Sequence, residues 1–431
     1  MKKILLSSLA LVVCAGAIAA ASGSGSSVVR GSSSDWHQWG GPNRNFHADT
    51  KGLAVSWPAD GPKRLWEREL GEGYSSIVAF SGALFTMYRS NDDEDEVIVS
   101  LDANTGATRW EHRYLAPLYE DMDYGTWLRQ GGAGPHSTPL LLDDTLFAVG
   151  VTGKFFAFNP ANGDVRWSLN LDEEFDMSGY RGFAPSPIAY GDNVILPIGG
   201  RGQAIVAFDR KSGNVAWKNQ DFRMAPASPI LIDVDGQDQL VVFTPEAVVG
   251  LDPSDGSSLW SHPHETNYGL NISTPVWGEG NLLFVSSAYN GGSRVIELVR
   301  ERENGRTTPR ELWYSNRFRL HFGNAIRIGD LVFGTSGDFG PAFFAAVDVH
   351  TGREVWRERT FARSQMVYAD DKLVIVDESG DLAVASASSE GLTVHARVEL
   401  LTENAWTPPT LVDTKLYVRD RKNIVAVDLG N

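Results

Sequence analysis

Leu101–Trp110 reads LDANTGATRW: an apolar strand end, an Asp, a Gly turn, a few residues and then a Trp. The same phrase recurs as FNPANGDVRW at Phe158–Trp167, FDRKSGNVAW at Phe208–Trp217, LDPSDGSSLW at Leu251–Trp260 and VDVHTGREVW at Val347–Trp356. A blurred copy ends at Trp313 after the Asn304–Gly305 turn, and Trp66 stands where a copy would end without its upstream half. Starts about 45–55 residues apart mark a repeat architecture. Each copy describes a hairpin. Thr-Gly, Asn-Gly, Ser-Gly or Asp-Gly supplies the positive φ of a tight turn, and the preceding Asp can accept backbone N–H bonds that hold it. The Trp after the turn is too large for one hairpin to bury, so it must dock on a neighbouring unit.

Working outward, each unit opens on a related phrase. The openings are Tyr74-Ser75-Ser76, His136-Ser137-Thr138-Pro139, Ala184-Pro185-Ser186-Pro187, Ala227-Ser228-Pro229, Ile272-Ser273-Thr274-Pro275, Phe322-Gly323-Asn324-Ala325, Arg363-Ser364-Gln365 and Trp406-Thr407-Pro408-Pro409. Four short alternating strands follow each opening, as in His136–Trp167. The reading is an all-β, eight-bladed propeller of four-stranded antiparallel blades, spanning 62–431. The last unit ends at Ile424–Leu429 without a Trp strand, and the strand around Trp66 lacks partners. The N-terminal strand is therefore expected to complete the last blade. Asp35–Pro58 carries Trp36, Trp39 and Trp57 outside the repeat, so 35–61 reads as a Trp-rich strap against the side or bottom of the propeller.

Upstream, Met1–Ala21 has Lys2 and Lys3, an apolar core and an Ala-Ile-Ala exit, the pattern of a cleaved export signal. Ser22–Ser34 reads as a flexible Gly/Ser linker. Cys14 is the single cysteine of the 431 residues, and Val13 before it is a poor match to a lipid-attachment signal. The expectation is a periplasmic or extracellular chain with no thiol, no transmembrane span and no lipid anchor, acting as a monomer. A formal charge of −16 opposes binding to nucleic acid or anionic lipid.

The LDxxTGxxxW phrase resembles the pyrroloquinoline-quinone (PQQ) type repeat. That repeat builds the eight-bladed propellers of quinoprotein alcohol dehydrogenases and of the outer-membrane β-barrel assembly lipoprotein. The Trp36–Asn43 and Ala405–Arg421 segments look like the ends of exported PQQ-binding-like β-propeller proteins. The resemblance runs from about Trp36 to Leu429 and implies the propeller. Adjacent cysteines near the quinone, typical of the dehydrogenases, are missing from this sequence.

Loops before the innermost strands ring a propeller's channel. They place Tyr74, His136, Arg181, Arg223, Asn267, Tyr268, Asn271, His321, Asn324, Arg363, Gln365, Asn404 and Trp406 at one mouth. Arg181, Arg223, Arg319 and Arg363 could hold a polyanion such as PQQ, and Trp406 or Tyr74 could stack on a flat ring. Equally, polar channels commonly pair Arg with acids of adjacent blades. A dehydrogenase would also need Ca²⁺ and a carboxylate base, for which Asp338, Asn324 and Asn271 are the candidates. Asp233, Asp235 and Asp238 resemble a Ca²⁺ loop, but the Gly falls too early, and an Asp-Gly hairpin explains them. Asn91–Glu96 (NDDEDE) reads as a solvated hairpin tip, and Glu111–Pro135 as a long insertion with the features of a lid or partner face. Phosphate loops, nucleophile elbows and His-Glu-x-x-His motifs are missing from the sequence. Two functions follow: a non-catalytic binding or assembly scaffold in the envelope, and a PQQ- and Ca²⁺-dependent dehydrogenase with its site in the channel.

Overall fold

The computed structural model describes residues 35–92, 94–117, 133–175, 177, 182–338, 340–402 and 404–430. The expected signal, linker, Cys14, Arg181 and residues 118–132 of the insertion lie outside them. Eight four-stranded antiparallel sheets form the blades. Blade 1 comprises Val78–Phe80, Ala83–Arg89, Asp95–Asp102 and Thr108–Leu115, and blades 2 to 7 repeat this order from the innermost strand outward. Blade 8 takes Thr410–Val412, Lys415–Arg419 and Asn423–Asp428 from the C-terminal end, and its outermost strand, Lys63–Glu69, from the N-terminal side. Lys63 lies opposite Asp428 and Glu69 opposite Asn423, which closes the ring. Arg419 stitches the seam further: it is buried, and it donates to Met87 O at 2.6 Å and Gly71 O at 2.9 Å.

The repeated phrase has a mechanical meaning at each blade. Asp102 Oδ1 accepts from the N–H groups of Asn104 and Thr105 at 3.0 and 3.1 Å, and Asp209 and Asp348 hold their turns the same way. One residue past the turn, the outer strand bulges. Leu101 faces Thr108 but Ser100 faces Trp110, leaving Arg109 as the extra residue. The bulge recurs in every blade. It sets each Trp opposite a small residue: Trp66 on Ala426, Trp110 on Ser100, Trp167 on Ala157, Trp217 on Ala207, Trp260 on Gly250 and Trp356 on Ala346. Blade 5 is the exception, with Trp313 on Val295.

The Trp rings then reach the next blade. Trp66 Nε1 donates to Ala103 O, Trp110 to Pro160 O, Trp167 to Arg210 O, Trp313 to Val349 O and Trp356 to Ser388 O, at 2.8 to 3.1 Å. Four of those five rings also lie on the turn glycine of the neighbour. A Cβ on Gly213 (φ +76°) would sit 2.8 Å from the Trp167 ring, and the same crowding holds for Gly106, Gly163 and Gly352. The glycine therefore serves its own turn and the docking of the previous blade's Trp. Blade 7 puts Ala396 at the Trp position and Val384 opposite it, exchanging the large and small partners.

The second half of the N-terminal strap lies on the far side from the blade openings, where Thr50 Oγ1 donates to Asp413 O and Gly52 and Leu53 donate to Asp370, but the first half departs from the side or bottom placement expected of it. Residues 36–48 pair with the inner edges of the blades and plug the channel. Trp36 exchanges N–H···O bonds with Ala79 of blade 1, and Leu141 of blade 2 donates to His37 O. Arg44 Nη1 donates to Pro187 O at the start of blade 3, Trp39 Nε1 to Thr274 Oγ1 at the start of blade 5, and Ala48 N to Tyr368 O of blade 7. Innermost strands in an open ring leave these backbone groups unpaired, and the strap supplies partners for them. Trp36, Phe46 and Leu53 are buried in the process. Among the described residues no helix is long and apolar enough to cross a membrane.

Candidate functional site

Above the plug, the loops that open the blades surround a cavity of about 670 Å³ with Trp39 in its lining. The openings themselves are joined by a ring of side-chain hydrogen bonds. Ser76 N donates to Thr138 Oγ1, Thr138 N to Ser186 Oγ, and Ser186 N to Ser228 Oγ, all at 2.9 to 3.0 Å. Thr138, Ser186 and Ser228 of the opening phrases are thus inter-blade fasteners. Blades 6 and 7 use amides instead. Asn324 bonds both backbone groups of Met366, donating from Nδ2 at 2.7 Å and accepting at Oδ1 at 2.8 Å. Gln365 Nε2 donates to Phe322 O and Trp406 O.

Of the residues expected at this mouth, Tyr74, His136, Arg223, Asn267, Tyr268, His321, Asn324, Gln365 and Trp406 line the cavity. Asn271, Arg363 and Asn404 do not. Asn271 is buried; its Nδ2 donates to Thr244 O at 2.6 Å and its Oδ1 accepts from Ser287 Oγ at 2.5 Å. Arg363 turns to Glu378 at 2.9 Å and to Asp338 O at 3.0 Å. Arg319 lies 3.4 Å from the Asp338 carboxylate, and Arg223 pairs with Glu246. Each described member of the expected cation group therefore already holds a carboxylate.

The structure instead assembles aromatic rings. His136 stacks on Tyr74 at 5.7 Å, and Tyr74 on Trp406 at 5.2 Å. Trp406 meets Phe322 at 4.5 Å, Phe322 meets His321, His321 meets Tyr289, and Tyr289 meets Tyr268 at 5.4 Å. The arc draws on blades 1, 2, 5 and 6 and the loop entering blade 8. Burial pushes His136 down to about 4 and Tyr74 above the usual phenol range, so both are neutral near pH 7. Tyr74 Oη is buried without a hydrogen-bond partner, whereas Tyr289 Oη and His321 Nε2 are bonded at 2.5 Å. Phe322, read only as part of a blade opening, and Tyr289, outside any repeat phrase, were not expected at the site, because nothing in their spacing distinguishes them from core aromatics. The cavity can accept a flat or apolar group, and it offers few free charges.

The weaker metal candidates are engaged in the contacts of one hairpin. Asp233 and Asp238 are cross-strand neighbours flanking a tight turn at Asp235 (φ 49°) and Gly236 (φ 84°). Asp233 accepts from Gly236 N, Asp235 from Asn281 Nδ2 at 3.1 Å, and Asp238 from Tyr190 Oη at 3.3 Å. Among the described residues, no three His, Cys, Asp or Glu side chains group so as to hold a metal ion. Within NDDEDE, Glu96 departs from the solvated tip expected there. It is fully buried in the third strand of blade 1, where its Oε2 accepts from Tyr114 Oη at 2.5 Å and from Val151 N of blade 2 at 3.1 Å. Burial pushes Glu96 up to about 7, against the pull of those two bonds and of Arg89.

The sequence profile described as Outer membrane protein assembly factor BamB matches residues 16–233, 94–358 and 344–429. A protein of that name from Yersinia pestis is 25% identical over 199 residues, a match covering 44% of this chain and 45% of that protein's length. The crystal structure of BamB from Moraxella catarrhalis superposes with a TM-score of 0.59 at 15% identity, over 85% of this chain and 98% of that one. The quinohemoprotein alcohol dehydrogenase from Comamonas testosteroni superposes with a TM-score of 0.65 at 13% identity, over 92% and 81%. At such identities the two superpositions speak for the shared propeller alone. The profile match spans nearly the whole propeller, and the chain belongs to the family described as outer membrane protein assembly factor BamB.

Proposed function

We propose that this protein is a non-catalytic scaffold of the bacterial cell envelope, exported by cleavage within residues 1–21, that presents its propeller loops to protein partners. The observation that carries the reading is the state of the cations at the channel mouth. Arg223, Arg319 and Arg363 are bound to Glu246, Asp338 and Glu378, and Asn324 and Gln365 are spent on blade-to-blade bonds. A quinone carrying several carboxylates would compete with these pairs and, at Arg319 and Arg363, would leave the half-buried Asp338 and Glu378 without their cations, whereas the Arg223–Glu246 pair is exposed. The BamB relatives support a role in assembly by the name they carry. The dehydrogenase reading draws on the aromatic arc alone, which would suit a planar ring but supplies no charge to fix it.

The test is a titration of the purified mature protein with PQQ and Ca²⁺, followed by absorbance and thermal melting, beside affinity capture from envelope extract. The scaffold reading expects no change in Tm at saturating PQQ and recovery of the same envelope protein from independent extracts. A saturable rise in Tm with PQQ, with alcohol-dependent reduction of an artificial electron acceptor, would replace it with the dehydrogenase.

A further inference from the structure

Below the plug lies a second cavity, of about 290 Å³, which shares only Thr274 with the one above. Its wall is apolar: Leu140, Leu142, Ile188 and Ile232 are buried there, and Ile230 and Trp277 join them. The plug contributes the opposite character. Arg44 and His37 line the same cavity, and both are more than nine-tenths buried. Exposed Asn43, Asn45 and Gly191 mark its opening to solvent.

Arg44 is the unusual group. Its Nη1 donates to Pro187 O at 2.9 Å and Gln38 Oε1 at 3.2 Å, and Nη2 to Ser186 O at 3.4 Å, all neutral acceptors. Its Nε is buried without a partner, and so is Nδ1 of His37. Burial alone lowers Arg44 to about 9, with no offsetting carboxylate nearby. Asp233, exposed at the rim, already accepts from Gly236 N. Arg419 shows how this fold treats a purely structural buried guanidinium. All three of its nitrogens find acceptors, Asp420 lies beside it, and it lines neither cavity. Arg44 departs on each count. A buried cation facing a cavity without a counter-ion is completed by an anion from outside.

We infer that the lower cavity is a binding site for a carboxylate on an apolar body, with Arg44 and His37 taking the carboxylate and the Leu140–Ile232 wall taking the apolar part. A short fatty acid and the C-terminal residue of an apolar peptide share this chemistry. The inference is independent of what the upper face binds.

The experiment is calorimetry on the full mature protein, with Trp fluorescence as a second readout because Trp277 lines the cavity. The probes are octanoate and octanamide, and N-acetyl-Leu-Leu as its free acid and as its C-terminal amide. At least one carboxylate is expected to bind saturably, with its amide at least tenfold weaker. Preference for octanoate assigns a lipid-derived acid, and preference for the dipeptide assigns a chain end. Arg44→Gln is expected to abolish the discrimination between acid and amide. Since Arg44 also anchors the plug, Ala189→Phe is the second variant: it fills the cavity from blade 3, leaves the plug intact and is expected to abolish binding. No binding of either carboxylate, equal binding of the amides, or unchanged binding in Ala189→Phe would overturn the assignment.

Discussion

Replacing Glu96 by Gln tests the seam between blades 1 and 2 through its pH dependence. Glu96 is fully buried, its Oε1 has no partner, and its Oε2 accepts from Tyr114 and from Val151 N. Its folded pKa, about 7, stands above the ordinary 4.5, and burial is the main cause. The folded state thus holds this proton more tightly than the unfolded chain does. Stability from this group is fully present below pH 4.5 and is lost as pH rises through 7. The gap between 4.5 and about 7 corresponds to roughly 3 kcal/mol. Gln keeps an acceptor for Tyr114 and Val151 but cannot ionise. Urea unfolding from pH 4.5 to 8.5 should therefore show the wild-type protein losing roughly 3 kcal/mol relative to Glu96→Gln, with other titrations cancelling in the difference. Parallel stability curves for the two proteins would refute the reasoning and mean that Glu96 is hydrated and ionised in the folded state.

Other expectations are more local. Trp110→Ala should cost about 3–5 kcal/mol in urea unfolding, since it empties a buried ring site and orphans Pro160 O across a blade seam. Gly213→Ala should destabilise by more than the ~1 kcal/mol typical of point substitutions, because both φ and the Trp167 ring oppose a Cβ; Gly202→Ala, also at positive φ but with open space, should cost less. His136 should remain neutral by NMR down to about pH 4; its stabilising contribution is complete above 6.5 and is lost as pH falls from there towards 4. Trp36→Ala should lower Tm and increase amide exchange at Ala79, whose N–H donates to Trp36 O.

What could be read from the sequence was whatever the repeat encodes locally. The turn Asp, the turn Gly and the Trp stand within ten residues of one another, so the hairpin, its docking and the number of blades follow from period and spacing. The missing Trp strand at Ile424–Leu429 likewise pointed to Lys63–Glu69. The strap was not legible in the same way. Many of its partners are backbone groups on the inner edges of blades, which leave no mark in side-chain pattern. Arg363 and Glu378 are fifteen positions apart in one blade, yet no short-range periodicity pairs them. Glu96 was concealed by its company: a polar run in the sequence gave no sign that Glu96 lies within a strand and bonds to blade 2.

The closure of blade 8 has a consequence for biosynthesis. Lys63–Glu69 leaves the ribosome early, but its partner, Asn423–Asp428, follows roughly 360 residues later, on the order of half a minute at typical elongation rates. Ala48 and Ala54 wait similarly for Tyr368 and Leu429. Through that interval the earliest segment carries unsatisfied strand edges and the large rings of Trp36 and Trp66. Contacts this remote also make the final step slow after release. The nascent chain is thus exposed to mispairing for longest at its oldest end, where a holdase would have most to protect.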